Sequence, residues 1–436
     1  MRQATRAQWI KCAIAILLYL AFLLWVRSWW GLIIVPFIFD IYITKKIPWS
    51  FWKKSKNPAV RSVMSWVDAI VFALVAVYFV NIYIFQNYQI PSSSLEKSLL
   101  VGDFLYVSKM SYGPRVPNTP LSMPLAQHTL PVFNTKSYIE WPQWKYKRVP
   151  GFGKVKLNDI VVFNFPAGDT VAVNYQQTTD FYTLAYGEGQ RIYSKQIEMD
   201  SLTRSQQRAI YDLYYAAGRK QILNNPRTYG EVLWRPVDRR ENYVKRCVGL
   251  PGDTLQIVDG QVMIDGKAIE NPENLQFNYF VQTTGPYIPE DMLRELGISK
   301  DDTMLIEDSG WEGGLLEMGL DNRNAQGKLN PVYHLPLTKK MYDTLLGNKK
   351  LISKIVMEPE EYAGQMYPLN LYTKWNRNNY GPIWIPAKGA TITLTEDNLP
   401  IYERCIVAYE GNKLEVKPDG IYINGEKTND CLLYTS

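Results

Sequence analysis

The chain has few histidines and few cysteines. Its 436 residues contain only two histidines, His128 and His334, and neither lies in a recognisable hydrolase signature, so a serine nucleophile has little choice of imidazole base. The four cysteines are scattered, and no pair has the spacing of metal ligands or of a disulfide framework. The scarcity of histidine therefore directs attention to lysine as a base, and we expect no metal and no cofactor.

A strong net charge is also lacking. Lys and Arg total 48 against 42 Asp and Glu, and this excess of +6 is small for the length and does not indicate a nucleic-acid binder. Hydrophobic residues make up 46% of the chain, which is enough to fill one large or two ordinary domains together with membrane segments. We interpret the small basic excess as a feature of membrane topology.

Three long apolar runs lie in residues 1–87 and predict a membrane domain with three transmembrane helices. The first extends from about Trp9 to Val26, the second ends at about Ile43, and the third extends from about Ser65 to Phe85. The second run is short for a spanning helix and contains Asp40, which we expect near an interface rather than paired inside the membrane. No small-residue cleavage site follows the first run, so we expect it to be retained rather than removed as a signal peptide.

Basic residues predict the orientation of these helices. They precede the first helix and fill the loop between the second and third, whereas Arg27 alone occupies the other loop. Positive residues favour the cytoplasmic side, so the N-terminus is predicted to be cytoplasmic. With three crossings, everything after about Tyr88 lies on the opposite face, which in a bacterial cell is the periplasmic face of the inner membrane. The basic residues are Arg2, Arg6, Lys11, Lys45, Lys46, Lys53, Lys54, Lys56 and Arg61.

The remainder, residues 88–430, has mainly the alternating pattern of β-strands with tight turns. Clear examples are 104–107, 160–163 and 391–394. Helical patterns occur only in short pieces, which we interpret as insertions within about 112–155, 167–240 and 275–400. These pieces are Thr203 to Ala217, Pro289 to Leu296 and Leu337 to Leu346, with Gly218, Gly297 and Gly347 as predicted stops.

The β-rich part contains an internal echo. The stretch from Gly252 to Gly266 is mirrored by the stretch from Gly411 to Gly425, and both copies read as hairpins with Asp-Gly or Asn-Gly turns. An Arg-Cys pair stands upstream of each copy, at 246–247 and 404–405. Only the first copy carries a lysine, Lys245, before that pair.

A serine-rich run and this lysine are the candidate chemical groups. Serine is a weak nucleophile, and a lysine can take its proton if burial lowers the lysine pKa from about 10.4 to about 7 to 8, at a cost of about 4 kcal/mol. Strand alternation places Tyr243, Lys245 and Cys247 on one face and Arg246 on the other, so we expect Lys245 to be buried. Taken alone, however, a serine run is usually a solvated turn and a strand lysine is usually a surface charge.

Three blocks of sequence together resemble bacterial type I signal peptidases. The first is Pro91-Ser92-Ser93-Ser94-Leu95, followed by Leu99 to Asp103 and Lys109 to Gly113. The second is Asn158 to Phe163, and the third is Tyr243 to Asp253. Their order, their spacing and the preceding membrane segment fit that family as well. The departures near the serine are Leu95, Lys97 and Ser98, where the family usually has Met, Pro and Thr.

The resemblance implies a mostly-β catalytic body of the signal-peptidase type and a role for each matched residue. Ser94 would be the nucleophile, Lys245 the general base, and Ser92 an oxyanion donor beside the Ser94 backbone N–H. A signal peptide would bind as an added strand, with only small residues admitted before its cleavage site. The residues implied to line that cleft are Ile90, Pro91, Leu95, Tyr243 and Val244.

The last motif of the family, an Asn- and Asp-rich loop that supports the lysine, is missing after the second hairpin copy. Residues 376–382 are a partial look-alike, but they lack acidic residues and precede that hairpin. We expect that the sequence is truncated before this motif and that residues 431–436 are a non-native tail. A fragment without the motif would be poorly active.

Two main readings follow. The first is a membrane-bound serine endopeptidase that removes signal peptides from exported preproteins, with the lipid bilayer and the secretion translocon as further partners and no nucleic acid. The alternative is a non-catalytic, membrane-tethered β-rich scaffold or binding module on the same fold. A self-cleaving Ser/Lys regulator would share the residues but fits poorly with three membrane helices, and no DNA-binding segment supports it.

Overall fold

The computed structural model describes residues 4–90, 93–95, 98–130, 135–175, 179–193, 201–307, 309–362, 366–369 and 373–432. The α-helices are α1 Arg6–Val26, α2 Val35–Phe39, α3 Pro58–Tyr83, α4 Phe181–Tyr193, α5 Arg204–Asn224, α6 Pro226–Tyr229, α7 Glu290–Leu296, α8 Glu312–Glu317, α9 Lys339–Gly347 and α10 Leu399–Arg404. The strands are β1 Phe85–Gln89, β2 Phe104–Ser108, β3 Arg115–Val116, β4 Lys147–Arg148, β5 Ile160–Asn164, β6 Thr170–Ala172, β7 Val232–Trp234, β8 Asn242–Arg246, β9 Thr254–Val258, β10 Gln261–Ile264, β11 Lys267–Ala268, β12 Gln276–Thr283, β13 Met304–Ile306, β14 Val332–Thr338, β15 Ile352–Met357, β16 Tyr380–Trp384, β17 Thr391–Thr393, β18 Leu414–Lys417, β19 Gly420–Ile423, β20 Glu426–Lys427 and β21 Asp430–Leu432.

The chain divides into two compact units. The first comprises Met1–Gln89, Phe104–Val171 and Leu233–Val244, and the second comprises Ile90–Asp103, Ala172–Val232 and Lys245–Ser436. The first unit contains the membrane-length helices and the short sheets β1–β2 and β3–β4. The second unit contains the larger sheets, so most of the predicted β-rich body lies there.

Two helices of the first unit are long and apolar enough to cross a membrane, α1 with 21 residues and α3 with 26. Their C-terminal ends lie together, because the Tyr83 ring lies 5.0 Å from that of Phe22 and 6.2 Å from that of Trp25. The two helices therefore run in the same direction. The strands that follow α3 form an antiparallel pair in which Phe85 faces Ser108 and Gln89 faces Phe104.

The chain returns between these helices as a shorter apolar segment, Trp30–Thr44. Tyr19 donates its hydroxyl to the Gly31 carbonyl at 2.8 Å, and the rings of Trp9 and Phe39 lie 5.9 Å apart. The segment therefore runs back along α1 towards its N-terminal end. It is not the continuous α-helix expected for the second predicted transmembrane helix but a run of 3₁₀, α and π turns, and Pro36 lies in its first α turn.

Asp40 begins the last turn of this returning segment, Asp40–Thr44. Its carboxylate is buried and accepts hydrogen bonds from the backbone N–H groups of Lys46 and Ile47 and from the Trp49 indole. The Thr44 hydroxyl also donates to it. Asp40 thus serves as a cap for the following loop, and in the described structure it is bound by neutral donors rather than paired with a basic side chain.

The second unit contains a four-stranded sheet in the order β13-β14-β12-β15. Its central strands are antiparallel, with Gln276 opposite Thr338 and Gln282 opposite Val332. Val281 packs on one face with residues of α7 and α9, and Phe280 packs on the other face with Leu315 of α8. The predicted insertion at about 275–400 is therefore mostly a small sheet with helices on both faces.

The predicted insertion at about 167–240 contains two packed helices, α4 and α5, rather than one short helix. Thr203 caps α5 as the pattern indicated, but Gly218 does not end it, and the helix continues to Asn224. A Cβ atom at Gly218 would lie 1.7 Å from the Ala185 carbonyl oxygen, so this glycine allows close helix packing. By contrast Gly297, at φ 71°, ends its helix as predicted.

The two hairpin copies are confirmed. In the first, β9 and β10 pair with Leu255 opposite Ile264, and in the second, β18 and β19 pair with Leu414 opposite Ile423. The echo ends upstream, because Arg246 lies on strand β8 whereas Arg404 ends a helix, α10. The second copy therefore lacks the strand that carries the lysine in the first.

The predicted non-native tail begins at Cys431. The described part of it continues strand β21, in which Cys431 is opposite Ile392 and buried in a cluster with that residue. Residues 433–436 lie outside the described residues. The truncation and the tail stay predictions.

Candidate active site

Ser94 lies in a loop that leaves strand β1 and returns to strand β2. It occupies a single 3₁₀ turn, Ser93–Leu95, and is exposed. The loop is closed at its base, where Ile90 N donates to the Asp103 carbonyl at 3.0 Å and Gly102 N donates to the Ile90 carbonyl at 2.9 Å. These two bonds therefore join the ends of the segment that carries Ser94.

Lys245 lies near the end of strand β8, which pairs with β5. Its Nζ donates a hydrogen bond to the Ser94 Oγ at 2.6 Å, across 151 residues of sequence. Both residues belong to the second unit. Within the part of the chain that the structure describes, Ser94 is the hydrogen-bond partner of the Lys245 amine. The structure thus brings together the two residues that the sequence singled out.

The expectation that Lys245 is buried was wrong in this structure. The alternation of strand β8 is as predicted, with Tyr243 and Lys245 on one face, but that face is the exposed one, while Val244 and Arg246 are half-buried. Alternation tells which side chains share a face, not which face is covered. Partial burial of the ammonium nonetheless lowers the pKa of Lys245 from its usual value.

One turn type recurs at the two loops that follow Ser94 and Lys245, the pair of residues that we call the dyad. In the first, Leu100 N donates to the Asp103 carboxylate at 2.9 Å and Gly102 has φ 93°. In the second, Leu250 N donates to the Asp253 carboxylate at 2.8 Å and Gly252 has φ 100°. Positive φ favours glycine, and the carboxylate satisfies the first N–H of each turn. Strands β2 and β9 begin directly after these turns.

A third turn of this type precedes strand β5 in the first unit. Lys156 N donates to the Asp159 carboxylate at 2.9 Å, and Asn158, at φ 69°, takes the place of the glycine. The Tyr112 hydroxyl donates to the same carboxylate at 2.7 Å. These bonds hold the pKa of Asp159 below its usual value. All three motifs that carry the family resemblance therefore contain the same strand-starting turn.

A further bond joins the loop and the lysine strand, and no sequence motif indicates it. Arg246 Nη2 donates to the Ser98 Oγ at 3.3 Å. Ser98 had been noted only as a departure from the usual Thr, which also carries a hydroxyl. This contact lies four residues from Ser94 and one from Lys245, so it positions the two backbones that carry them.

The remaining predicted site residues differ in their exposure. Ile90 is buried, Leu95 and Val244 are half-buried, and Tyr243 is exposed. The Tyr243 ring stacks on Phe165 with centroids 4.4 Å apart. Pro91 and the predicted oxyanion donor Ser92 lie outside the described residues. The cleft and oxyanion assignments stay predictions.

The partial look-alike of the missing motif lies at the tip of the first hairpin. Gly260 N donates to the Asn378 carbonyl at 2.8 Å, and Asp259 N donates to the Asn379 side chain at 3.1 Å. Arg377 donates to the Glu358 carboxylate at 2.7 Å. Strand β16, which follows this loop, pairs with β9 of the hairpin. At the other end of that pair Trp384 lies opposite Thr254, the residue that follows the lysine motif in sequence. The loop thus stabilises the hairpin tip.

A serine hydroxyl hydrogen-bonded to a lysine amine of lowered pKa is the arrangement of a serine hydrolase with a lysine base. A neutral amine could accept the serine proton, while the exposed Oγ could attack a carbonyl carbon. The profile of the family described as "Signal peptidase, peptidase S26" matches residues 63–295, which include both residues. The chain belongs to this family.

Curated relatives agree with this membership. The chain is similar to proteins named Signal peptidase I from Haemophilus influenzae (strain ATCC 51907 / DSM 11121 / KW20 / Rd), with 35% identity over 65 residues, 15% of this chain and 19% of the relative. The protein of that name from Buchnera aphidicola subsp. Baizongia pistaciae (strain Bp) shows 27% identity over 133 residues, 30% of this chain and 34% of the relative. That from Aquifex aeolicus (strain VF5) shows 54% identity over 39 residues, 9% and 15% of the two chains.

The chain thus spans between 15% and 34% of the length of these three relatives. No solved structure shows a significant match to the chain.

Proposed function

We propose that this protein is a membrane-bound serine endopeptidase that removes N-terminal signal peptides from exported preproteins. The observation that carries the proposal is the 2.6 Å hydrogen bond between Lys245 Nζ and Ser94 Oγ, inside a chain of the signal peptidase family. Ser94 is the nucleophile and Lys245 the general base. Neutral Lys245 takes the hydroxyl proton as Oγ attacks the peptide carbonyl, and the resulting ammonium returns it to the leaving amine.

An acyl-enzyme at Ser94 follows from this step. The bond between Oγ and the carbonyl carbon forms as the peptide bond breaks. Water then attacks the ester, Lys245 accepts a proton from this water and passes it to the leaving Ser94 Oγ, and the signal peptide departs with a new carboxylate. The backbone N–H of Ser94 and the hydroxyl of Ser92 are proposed to stabilise the developing oxyanion.

The substrate is proposed to bind as an extra strand. In the described structure, strand β8 pairs with one strand, β5, so its other edge has no partner strand there. Tyr243, Val244 and Lys245 lie along this strand, and Ile90, Pro91 and Leu95 flank the nucleophile in sequence. Strand addition uses backbone hydrogen bonds for affinity and shallow side-chain pockets for selectivity.

The membrane topology is proposed to have three passes with a cytoplasmic N-terminus. Helices α1 and α3 run in the same direction, and the Trp30–Thr44 segment returns along α1 between them. Arg6 and Lys11, in the N-terminal part of α1, and the basic residues between Lys45 and Arg61 therefore lie at one end of the bundle, which the positive-inside rule assigns to the cytoplasm. With this topology, the β-rich body is proposed to be periplasmic, and the bilayer and the translocon are proposed as partners.

Processing of a radiolabelled preprotein by the full chain in proteoliposomes tests the activity. Ser94→Ala and Lys245→Ala are each expected to abolish cleavage, whereas Cys247→Ser, two residues after Lys245, keeps it. Unchanged processing by either of the first two variants would favour the alternative of a non-catalytic scaffold.

A further inference from the structure

A short stretch of the first unit combines aromatic and basic side chains. Residues 141–154, here called the aromatic-basic segment, contain no acidic residue, and their sequence is WPQWKYKRVPGFGK. Its aromatic residues are Trp141, Trp144, Tyr146 and Phe152, and its basic residues are Lys145, Lys147, Arg148 and Lys154. The proposed peptidase reaction uses none of them.

The segment is bonded directly to the C-terminal end of helix α1. The Trp25 indole donates to the Pro150 carbonyl at 3.1 Å, and Lys147 Nζ donates to the Arg27 carbonyl at 2.6 Å. Val149 is buried against Val26 in a cluster that Tyr83 of α3 also joins. The segment is therefore held at the level where both membrane-length helices end.

The backbone of the segment is held in place. Strand β4 pairs with β3, with Arg148 opposite Arg115. Gly113 and Gly151 meet so closely that a Cβ at Gly151 would lie 2.1 Å from the Gly113 nitrogen. Arg148 Nη1 also donates to the Gly113 carbonyl at 2.7 Å. Positions on either side of this anchor are consequently fixed relative to the helix ends.

The largest side chains of the segment are nevertheless exposed. Trp141 and Phe152 expose 81% and 84% of their surface, and Trp144 and Tyr146 are exposed as well. Lys145 and Lys154 are exposed beside them. Several large exposed aromatic residues in one short stretch mark an interaction surface rather than an ordinary water-facing loop.

The distance between the end of α1 and Phe152 indicates which part of a bilayer this surface contacts. Two residues span at most about 7 Å, so the Cα of Phe152 lies within about 7 Å of that of Pro150, which contacts the last turn of α1. The headgroup region on each side of a bilayer is about 5 to 8 Å thick. If α1 and α3 span the membrane, Phe152 is therefore at the height of the headgroups or immediately beside them.

We propose that the aromatic-basic segment is a second, peripheral lipid-contact site, with its rings among the headgroups and its lysines on anionic phosphates. Tryptophan and other amphipathic rings favour this interfacial zone, and clustered basic residues favour anionic lipid. The proposal rests on the membrane placement proposed above. It does not require peptidase activity, so the two can fail separately.

Depth-dependent quenching tests this proposal in the full chain. A fluorescent amino acid replaces Phe152, or Trp141 if the first variant does not fold, and the protein is reconstituted in phosphatidylcholine vesicles with and without phosphatidylglycerol. The matched control carries the same label at Tyr287, an aromatic residue of the second unit that is 63% exposed. Lipids with a nitroxide near the headgroup are the quencher.

We expect loss of emission and a blue shift at position 152 or 141, and little change at position 287. We also expect the change to increase with phosphatidylglycerol and to lose this dependence in a Lys145→Gln/Lys154→Gln variant. Equal quenching at the test and control positions would overturn the lipid-contact site. Quenching that does not depend on phosphatidylglycerol would overturn the preference of the segment for anionic lipid. Preprotein cleavage by the same variants in detergent reports separately on the proposed function.

Discussion

Among the described residues, Lys109 and Lys245 have a pKa that burial lowers, and they differ in the group that they contact. Lys109 is half-buried, its pKa falls to about 8, and its Nζ donates to the Tyr88 hydroxyl at 3.3 Å. Lys245 is exposed, and its Nζ donates to the Ser94 hydroxyl at 2.6 Å. Burial also raises the pKa of Tyr88 to about 12, so its phenol stays protonated at neutral pH.

A lowered lysine pKa is therefore not enough to identify a general base. The chemical role depends on the partner: the primary hydroxyl of Ser94 lies on an exposed turn, whereas the Tyr88 phenol is half-buried and donates its proton to the Gln86 side chain. Lys109 also lies over the Tyr88 ring, at 5.5 Å from its centroid, so its contacts are those of a packed cation. On this account, the reaction needs Lys245, whereas the buried charge of Lys109 lowers the stability of the first unit.

Replacing the dyad should give the largest effect. Ser94→Ala and Lys245→Met are each expected to lower the cleavage rate by about 10⁴-fold or more, because either change removes the nucleophile–base pair as a unit. Lys109→Met is the matched control and should change the rate by less than about tenfold. Initial rates on a preprotein in proteoliposomes measure this contrast. An equal loss in Lys109→Met and Lys245→Met would end the distinction between the two lysines.

Replacing Lys109 should instead change stability. The folded-state pKa of about 8 lies below the usual 10.5, so the buried charge destabilises the fold below pH 8, and stability rises between pH 8 and 10.5. Lys109→Met should raise the free energy of unfolding at pH 7 by up to about 3 kcal/mol, less the lost ring contact.

Denaturant unfolding in detergent at several pH values measures this effect. The gain should shrink towards zero as the pH approaches 10.5, and a gain that stays constant over that range would contradict the burial argument.

The pH dependence of cleavage should separate the lysines again. The reaction needs neutral Lys245, and the pKa of this group is lowered, so the rate should rise with pH and level off below the usual lysine pKa. At pH values below the lowered pKa of Lys245, the rate is expected to rise about tenfold per pH unit. Lys109→Met should leave this profile in place, and a profile that falls with rising pH would show that the protonated amine is the active form.

The smallest expected effect concerns the bond between Arg246 and Ser98. Ser98→Ala removes the hydroxyl that accepts from Arg246 at 3.3 Å, while Ser98→Thr keeps one. A single bond of this kind contributes about 0.5 to 1 kcal/mol, so we expect about a two- to fivefold loss of rate in Ser98→Ala and near wild-type rates in Ser98→Thr. Equal rates for wild type and Ser98→Ala would show that the contact does not position the dyad.

The sequence was informative where a local rule acts alone. The turns ending at Asp103, Asp159 and Asp253 each need one residue at positive φ and one carboxylate, and Gly or Asn followed by Asp supplies both. The Asp265-Gly266 and Asn424-Gly425 turns follow the same logic, with positive φ at all four residues. Such elements could be predicted without a structure.

The sequence was misleading where tertiary contacts decide. A glycine inside a helix lowers helix stability by about 1 kcal/mol, so Gly218 was predicted to end the helix. The helix continues because the close contact with Ala185 leaves no room for a side chain at this position. Likewise, alternation placed Tyr243 and Lys245 on one face, but only the packing of the whole unit determines that this face is open. The Ser94–Lys245 contact itself was expected from the family resemblance, not from local pattern.

The rate at which a fluorophosphonate labels Ser94 is the most direct test of the central claim. The rate should be measured against pH for the full chain and for Lys245→Met, with peptide mass spectrometry to locate the label. The account predicts labelling at Ser94 that rises with pH as one group of lowered pKa loses its proton, and predicts that this rise disappears in Lys245→Met. Labelling with the same pH dependence in both proteins would contradict it.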